Sequence, residues 1–169
     1  MTAPRSSRFD PELMRRQLGL LLVEPGDVVE LRILGSKSAA ASGYFDNADA
    51  AIEAIRPWAL DEHIDTIFVL LNPPKPACLR RYANRMQPAS PRVRGEWPKE
   101  TTSDADVAHR RWLLVDCDAE RPAGVSASDE EREASRALAS TVYSFLKEQG
   151  VPGRSLATMT SGNGFYVLV

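Results

Sequence analysis

Apolar and polar positions follow two rhythms along this 169-residue chain, and the rhythm assigns the elements. Residues 10 to 22 open on Asp10-Pro11-Glu12, a capping carboxylate with proline at the first helical position, and Leu13, Leu18, Leu21 and Leu22 supply a rough apolar face. Pro25-Gly26 stops this helix. Asp27 to Leu34 carries Val28, Val29, Leu31 and Ile33 and reads as a strand. Gly35 to Gly43 is a small-residue loop followed by Tyr44-Phe45-Asp46. Asp46 or Asn47 then caps a short helix with Ala51, Ile52 and Ile55 at helical spacing and Pro57 beyond its end. Thr66 to Leu71 is a continuous apolar run, the pattern of a buried central strand. Pro76 to Met86 reads as a basic helix, and Gln87 to Thr102, with prolines at 88, 91 and 98, as a loop.

The second half is more sharply punctuated. Arg111 to Asp116 is a strand ending at Asp116-Cys117-Asp118, and a turn with Pro122 and Gly124 follows. Ser128 with Glu131 three residues on forms a capping box, and Ala134, Ala137, Leu138, Val142, Phe145 and Leu146 give the next helix its apolar face. Gly150 ends that helix. Arg154–Thr160 and Phe165–Val169 read as two strands joined across Ser161-Gly162-Asn163-Gly164, where Asn-Gly signals a tight turn. The order is α-β-α-β-α, then β-α-β-β, an α/β chain in the broad sense (α+β), without internal repeats.

Composition narrows the class. Hydrophobic residues make up 43% and charged residues 26%, which is globular and not disordered. The longest apolar runs are far too short to span a bilayer, so no membrane is expected as a partner. The first residues carry no signal-peptide core, and a cytoplasmic location is expected. Cys78 and Cys117 have no metal-ligand spacing, and His63 and His109 are too few and scattered for a histidine metal site.

The net charge of −2 is unevenly spread. From Asn72 to Lys99, Lys75, Arg80, Arg81, Arg85, Arg92, Arg94 and Lys99 face Glu96 alone, a net +6, so the rest of the chain carries −8. That segment is either a phosphate-facing surface or a solvated face. Tyr82 and Trp97 are interleaved with its charges and either stack on bases or pack inward.

Asp116 and Asp118 hold the candidate chemistry. Carboxylates at i and i+2 share one face of a strand and can converge on one hard cation. In phosphoryl transfer such a pair holds ions that stabilise the attacking and leaving oxygens. Haloacid-dehalogenase-type phosphatases need Thr or Val two residues on, where this chain has Glu120. Glycosyltransferases place a nucleotide-binding unit ahead of their DxD. Primase-type nucleotidyltransferases are the third class.

Thr102-Ser103-Asp104-Ala105-Asp106, the run from Arg110 to Ser126 through Asp116-Cys117-Asp118, Ser128-Asp129-Glu130-Glu131 and Ser161-Gly162-Asn163-Gly164 together resemble the catalytic domain of archaeo-eukaryotic-type primases, in the bifunctional primase-polymerase branch of phages, plasmids and mobile elements. Val28-Val29-Glu30-Leu31-Arg32, Gly43-Tyr44-Phe45-Asp46 and Leu71-Asn72-Pro73 extend the likeness, which covers about Val28 to Val169. The resemblance implies a helical extension over residues 1–26 and a catalytic domain over 27–169. That domain would divide into an αβ lobe (27–105) and an incomplete RRM-like lobe (106–169), with the active cleft between them.

It further implies Mg²⁺ or Mn²⁺ on Asp116 and Asp118. Incoming nucleoside triphosphates would be held by Ser161, Gly162, Asn163, Gly164 and Tyr166. Arg111 either reaches the nucleotide or template or is a solvated edge charge. Asn72, Arg80, Arg81 and Arg85 would line a single-stranded DNA template, and a helicase domain or protein is a further expected partner. Tyr166 stands where the family has histidine, and a tyrosine hydroxyl offers one hydrogen bond but no imidazolium-like charge. The family's third carboxylate would fall beyond Val169, so the expectation is a domain cut before its last metal-binding strand. The implied function is a divalent-metal-dependent DNA primase-polymerase making or extending primers. The alternative is an inactive primase-like fragment that binds nucleic acid or nucleotide. Trp112 reads as core, and Tyr44 and Phe45 either help shape the pocket or pack in the core.

Overall fold

The computed structural model describes residues 9–35, 41–61, 63–88, 101–118, 120–121, 125–161 and 163–169. The chain is mixed α and β and divides into two compact units, Met1–Arg111 and Trp112–Val169. Among the described residues no helix is long and apolar enough to cross a membrane.

The first unit begins with α1 (Pro11–Gly19), whose first amides, those of Glu12 and Leu13, donate to the Asp10 carboxylate at 2.9 and 3.0 Å. Leu18 and Leu21 are buried, and α1 packs on α2 (Ala48–Ala59). Asn47 is the residue that caps α2, its side-chain oxygen accepting from Ala50 N–H at 3.0 Å. Pro57 lies inside α2 and not beyond it. A proline this close to the end costs one intrahelical hydrogen bond, and the helix closes two residues later.

Strands β1 (Val29–Gly35), β2 (Ala41–Phe45), β3 (Ile64–Val69) and β4 (Gln87–Pro88) form an antiparallel sheet in the order β3-β1-β2-β4. Three expectations fail here. The end of the expected loop over 35–43 is strand β2, paired with β1 from Ala41↔Ile33 to Phe45↔Val29. Its Gly43 is required, because a side chain there would collide with the Arg85 carbonyl. Most of the apolar run expected over 66–71 as a central strand lies in β3, which is at the sheet's edge among the described residues, and Phe68 is 49% exposed. Apolar content reports side-chain character but not position in the sheet. The helix expected over 76–86 is a 3-10 turn, Pro76–Arg80, after which the chain bonds to β2 instead of to itself. Tyr44 N–H donates to Tyr82 C=O and Asn84 N–H donates to Tyr44 C=O. Asn84 takes the left-handed conformation, with φ 51°, which suits its short polar side chain. Most of the expected loop over 87–102, with Trp97 and three of the seven basic residues, lies outside the described residues.

The second unit holds β5 (Leu114–Cys117), α3 (Asp129–Glu148), β6 (Ala157–Thr160) and β7 (Phe165–Leu168). The strand order β5-β7-β6 inserts the last strand antiparallel between the other two, a split β-α-β unit. β5 is shorter than the expected 111–116, and the start of the strand expected over 154–160 lies instead in a 3-10 turn, Gly153–Ser155. α3 begins at the expected capping box of Ser128 and Glu131. It ends at Gly150, whose φ of 91° lets Val151 N–H reach back to Leu146 C=O.

The buried face of α3 differs from the expected one. Ser135 and Ala139 are buried, and Val142, Tyr143 and Leu146 pack on a core of Cys117, Leu156 and Val167, while Ala134, Ala137, Leu138 and Phe145 are exposed. A serine leads this face because its hydroxyl ties two strands together. It donates to Cys117 C=O and accepts from Phe165 N–H.

Candidate functional site

Asp116 lies on β5 directly across from Tyr166 on β7. Asp118 follows one residue beyond the strand, where the same register brings it to Gly164. The contact is close: a Cβ on Gly164 would strike the Asp118 carboxylate. The missing Cβ at 164 leaves room for the Asp118 carboxylate in this position. The two carboxylates, separated by some 45 residues from the Ser161–Tyr166 segment, come together with it at one end of a single small sheet.

The Ser161–Gly164 connection is a four-residue loop between β6 and β7. Ser161 N–H donates to Gly164 C=O at 3.1 Å, and Gly164 N–H donates back to the Ser161 hydroxyl at 3.1 Å. Gly164 does not take a positive φ, so this is not the two-residue Asn-Gly turn that the dipeptide suggested. Asn163 instead accepts Ala127 N–H on its side-chain oxygen at 3.2 Å and so anchors the residues just before α3. Gly162 lies outside the described residues.

Sequence reasoning missed two neighbours. The Thr160 hydroxyl donates to Gly164 C=O at 3.0 Å and braces the loop. Arg121 approaches Asp118 at 3.8 Å while donating to Val125 C=O at 2.6 Å, and its buried Nε has no hydrogen-bond partner among the described residues. Its spacing, three residues after Asp118, was the available signal.

The donor set suits a hard divalent ion. Asp116 and Asp118 offer only carboxylate oxygens, and both are exposed. Cys117 between them is buried in the core against α3, so its sulfur is not a donor, and burial pushes its thiol pKa up. Asp116 and Asp118 are the residues that would hold the ion. Among the described residues no group of three His, Cys, Asp or Glu side chains converges.

The remaining candidates lie in the first unit, and several of their groups are engaged within it. Arg111 forms a two-pronged pair with Asp27, at 2.6 and 3.0 Å, and also donates to Leu21 C=O. This guanidinium, with the Glu24 and Val23 amides, holds the Asp27 carboxyl down at about 2. Asn72 accepts Arg111 N–H at 2.8 Å. Arg81 donates to Asp106 at 2.8 and 3.2 Å and to the Tyr44 hydroxyl at 3.2 Å. The Arg81 hydrogen bonds hold Asp106 well below the usual carboxylate range, and burial raises Tyr44. Arg80 and Arg85 are exposed and pair with no described acid. No family model, curated protein or solved structure matches the chain.

Proposed function

We propose that this chain carries the metal-binding centre of a primase-polymerase-type nucleotidyltransferase acting on a single-stranded template with nucleoside triphosphates. One observation carries the reading: Asp118 rests on Gly164, and Asp116 faces Tyr166. The carboxylate motif and the serine-glycine motif thus share one sheet end. A split β-α-β unit with strand order β5-β7-β6 is also what the first half of an RRM-like lobe requires. The resemblance in sequence supplies the reaction class.

In this reading Asp116 and Asp118 hold Mg²⁺ or Mn²⁺, which when bound neutralises phosphate charge and favours attack by a 3′-hydroxyl on the α-phosphate. The Ser161 hydroxyl and the amides of the 161–164 loop orient the triphosphate. Tyr166, across from Asp116, adds a hydroxyl on the neighbouring strand. Arg80 and Arg85, exposed and unpaired with described acids, are the best placed of the proposed template contacts. Asn72, Arg81 and Arg111 would act chiefly by holding the first unit in shape. A cytoplasmic setting and an associated helicase belong to the same proposal.

The test is primer synthesis and extension on a single-stranded template with Mg²⁺ or Mn²⁺. Activity that vanishes in Asp116→Ala and Asp118→Ala supports the reading, and undiminished product from both variants rejects it.

A second reading, binding of nucleotide or nucleic acid without catalysis, is favoured by Arg121, a built-in cation beside Asp118. It predicts salt-sensitive single-strand binding that neither Mg²⁺ nor the aspartate variants alter.

A further inference from the structure

Arg121 is as buried as arginines that build the first unit, yet it makes no close ion pair among the described residues. Its side chain is 20% exposed, against 19% for Arg111, which grips Asp27 at 2.6 Å. Arg32 and Arg81, also largely buried, each meet a carboxylate at 2.8 Å. The acid beside Arg121 is Asp118, and it stands off at 3.8 Å, beyond hydrogen-bond reach. One oxygen of Asp118 occupies the space left by the missing Cβ of Gly164, and the other is the one nearest Arg121.

The guanidinium is nonetheless held in place. Nη1 donates to Val125 C=O at 2.6 Å, just ahead of α3. That leaves the edge formed by Nε and Nη2. In Arg32 the same edge holds both oxygens of Glu30, at 2.8 and 2.9 Å. In Arg121, among the described residues, Nε is buried without a partner and Nη2 has the long contact with Asp118. A buried donor without an acceptor is costly, and a free two-pronged edge matches the oxygens of a phosphate.

We propose that Arg121 is a phosphate-binding residue of the carboxylate site, its Nε–Nη2 edge taking oxygens of the triphosphate of an incoming nucleotide. The proposal rests on the metal-binding reading of Asp116 and Asp118 and adds the residue that fastens the substrate there. A ligand oxygen that shares a hard cation with a carboxylate lies within about 4 Å of it, and Nη2 stands at that distance from Asp118. A small turn of the side chain brings its free edge to such an oxygen. Charge then couples the two ligands. A divalent ion on Asp118 and the Arg121 guanidinium repel each other, whereas a phosphate between them attracts both. Cation and triphosphate therefore favour each other's binding, with Arg121 as the coupling group.

Two probes test this on the full chain: Mn²⁺ alone, followed by electron paramagnetic resonance, and labelled dATP in excess Mn²⁺, followed by equilibrium dialysis. Arg121→Gln should bind Mn²⁺ alone about threefold more tightly and dATP about tenfold more weakly. Arg121→Lys keeps the charge and loses the fork, so it should bind Mn²⁺ within about twofold of wild type and dATP about threefold more weakly. Melting followed by circular dichroism shows whether each variant is folded, and the lysine variant decides alone if the glutamine variant is not. A merely structural arginine would not shift the two probes in opposite directions, since a disturbed loop weakens both. Unchanged dATP binding in a folded variant, or loss of both ligands together, overturns the role of Arg121 and leaves the metal site standing. Wild type that takes up Mn²⁺ but no dATP does the same. Wild type that takes up no Mn²⁺ overturns the metal-binding reading itself, and the role of Arg121 with it.

Discussion

Charged groups serve opposite ends in the two units. In the first, several are consumed by the fold. Glu30 is fully buried, and both its oxygens accept from Arg32, at 2.8 and 2.9 Å, while Thr102 N–H adds a third bond at 3.2 Å. Arg32 returns a bond to Thr102 C=O, and Arg81 with Asp106 and Tyr44 clasps the same segment. Short stretches that lack apolar content are thereby pinned to the sheet. In the second unit Asp116 and Asp118 remain exposed, and among the described residues Asp118 meets only a long 3.8 Å contact from Arg121. A carboxylate satisfied by an internal guanidinium is a structural part, whereas one held open on a rigid edge remains available to a cation.

The contrast can be broken by substitution. The largest effect belongs to Glu30→Ala, which leaves Arg32 without its buried partner and should cost about 3 kcal/mol in urea unfolding. A loss under about 1 kcal/mol would mean the clasp is incidental.

Asp27→Asn comes next. Its folded pKa of about 2 lies below the ordinary 3.8, so the unfolded chain takes up the proton more readily. The pair's contribution is complete above about pH 4 and lost as pH falls toward 2, and is worth about 2 kcal/mol at neutral pH. Wild type should lose stability across that window, and Asp27→Asn should show a shallower slope there. Identical acid-unfolding curves would remove Arg111–Asp27 from the account.

Gly164→Ala should displace the Asp118 carboxylate and weaken Mn²⁺ binding about tenfold, with little change in melting because that side chain is exposed and can swing away. Unchanged Mn²⁺ affinity would sever the link between the two motifs. The smallest effect is expected for the stability of Asp116→Asn, within about 0.5 kcal/mol of wild type. A large loss would place Asp116 with the structural carboxylates.

What was legible in the sequence was local. The capping box and Gly150 fix the ends of α3 within one turn of chain, and the Asp10-Pro11 start of α1 is equally self-contained. Strand β1 and the β6–β7 hairpin are likewise readable from nearby residues. The buried face of α3 was not readable, because Ser135 is polar and earns its place through partners on β5 and β7. Strand β2 escaped notice because its Ala, Ser and Gly positions are small. They need to be, since Gly43 sits under the Arg85 carbonyl. The charge count over Asn72–Lys99 gave no warning that Arg81 is engaged by Asp106, nor the sequence around Arg111 that it is engaged by Asp27.

The candidate site divides along the same line. By itself the sequence determined the residue types, two carboxylates on a strand end and a serine-glycine turn, because side-chain chemistry and local backbone preference need no distant partner. Tertiary structure alone decided that Asp118 lies against Gly164 and that Asp116 faces Tyr166. It also decided which arginines are already satisfied. Those outcomes depend on strand register and on contacts between residues far apart in the chain, where the free energy of pairing overrides any preference a short segment holds on its own.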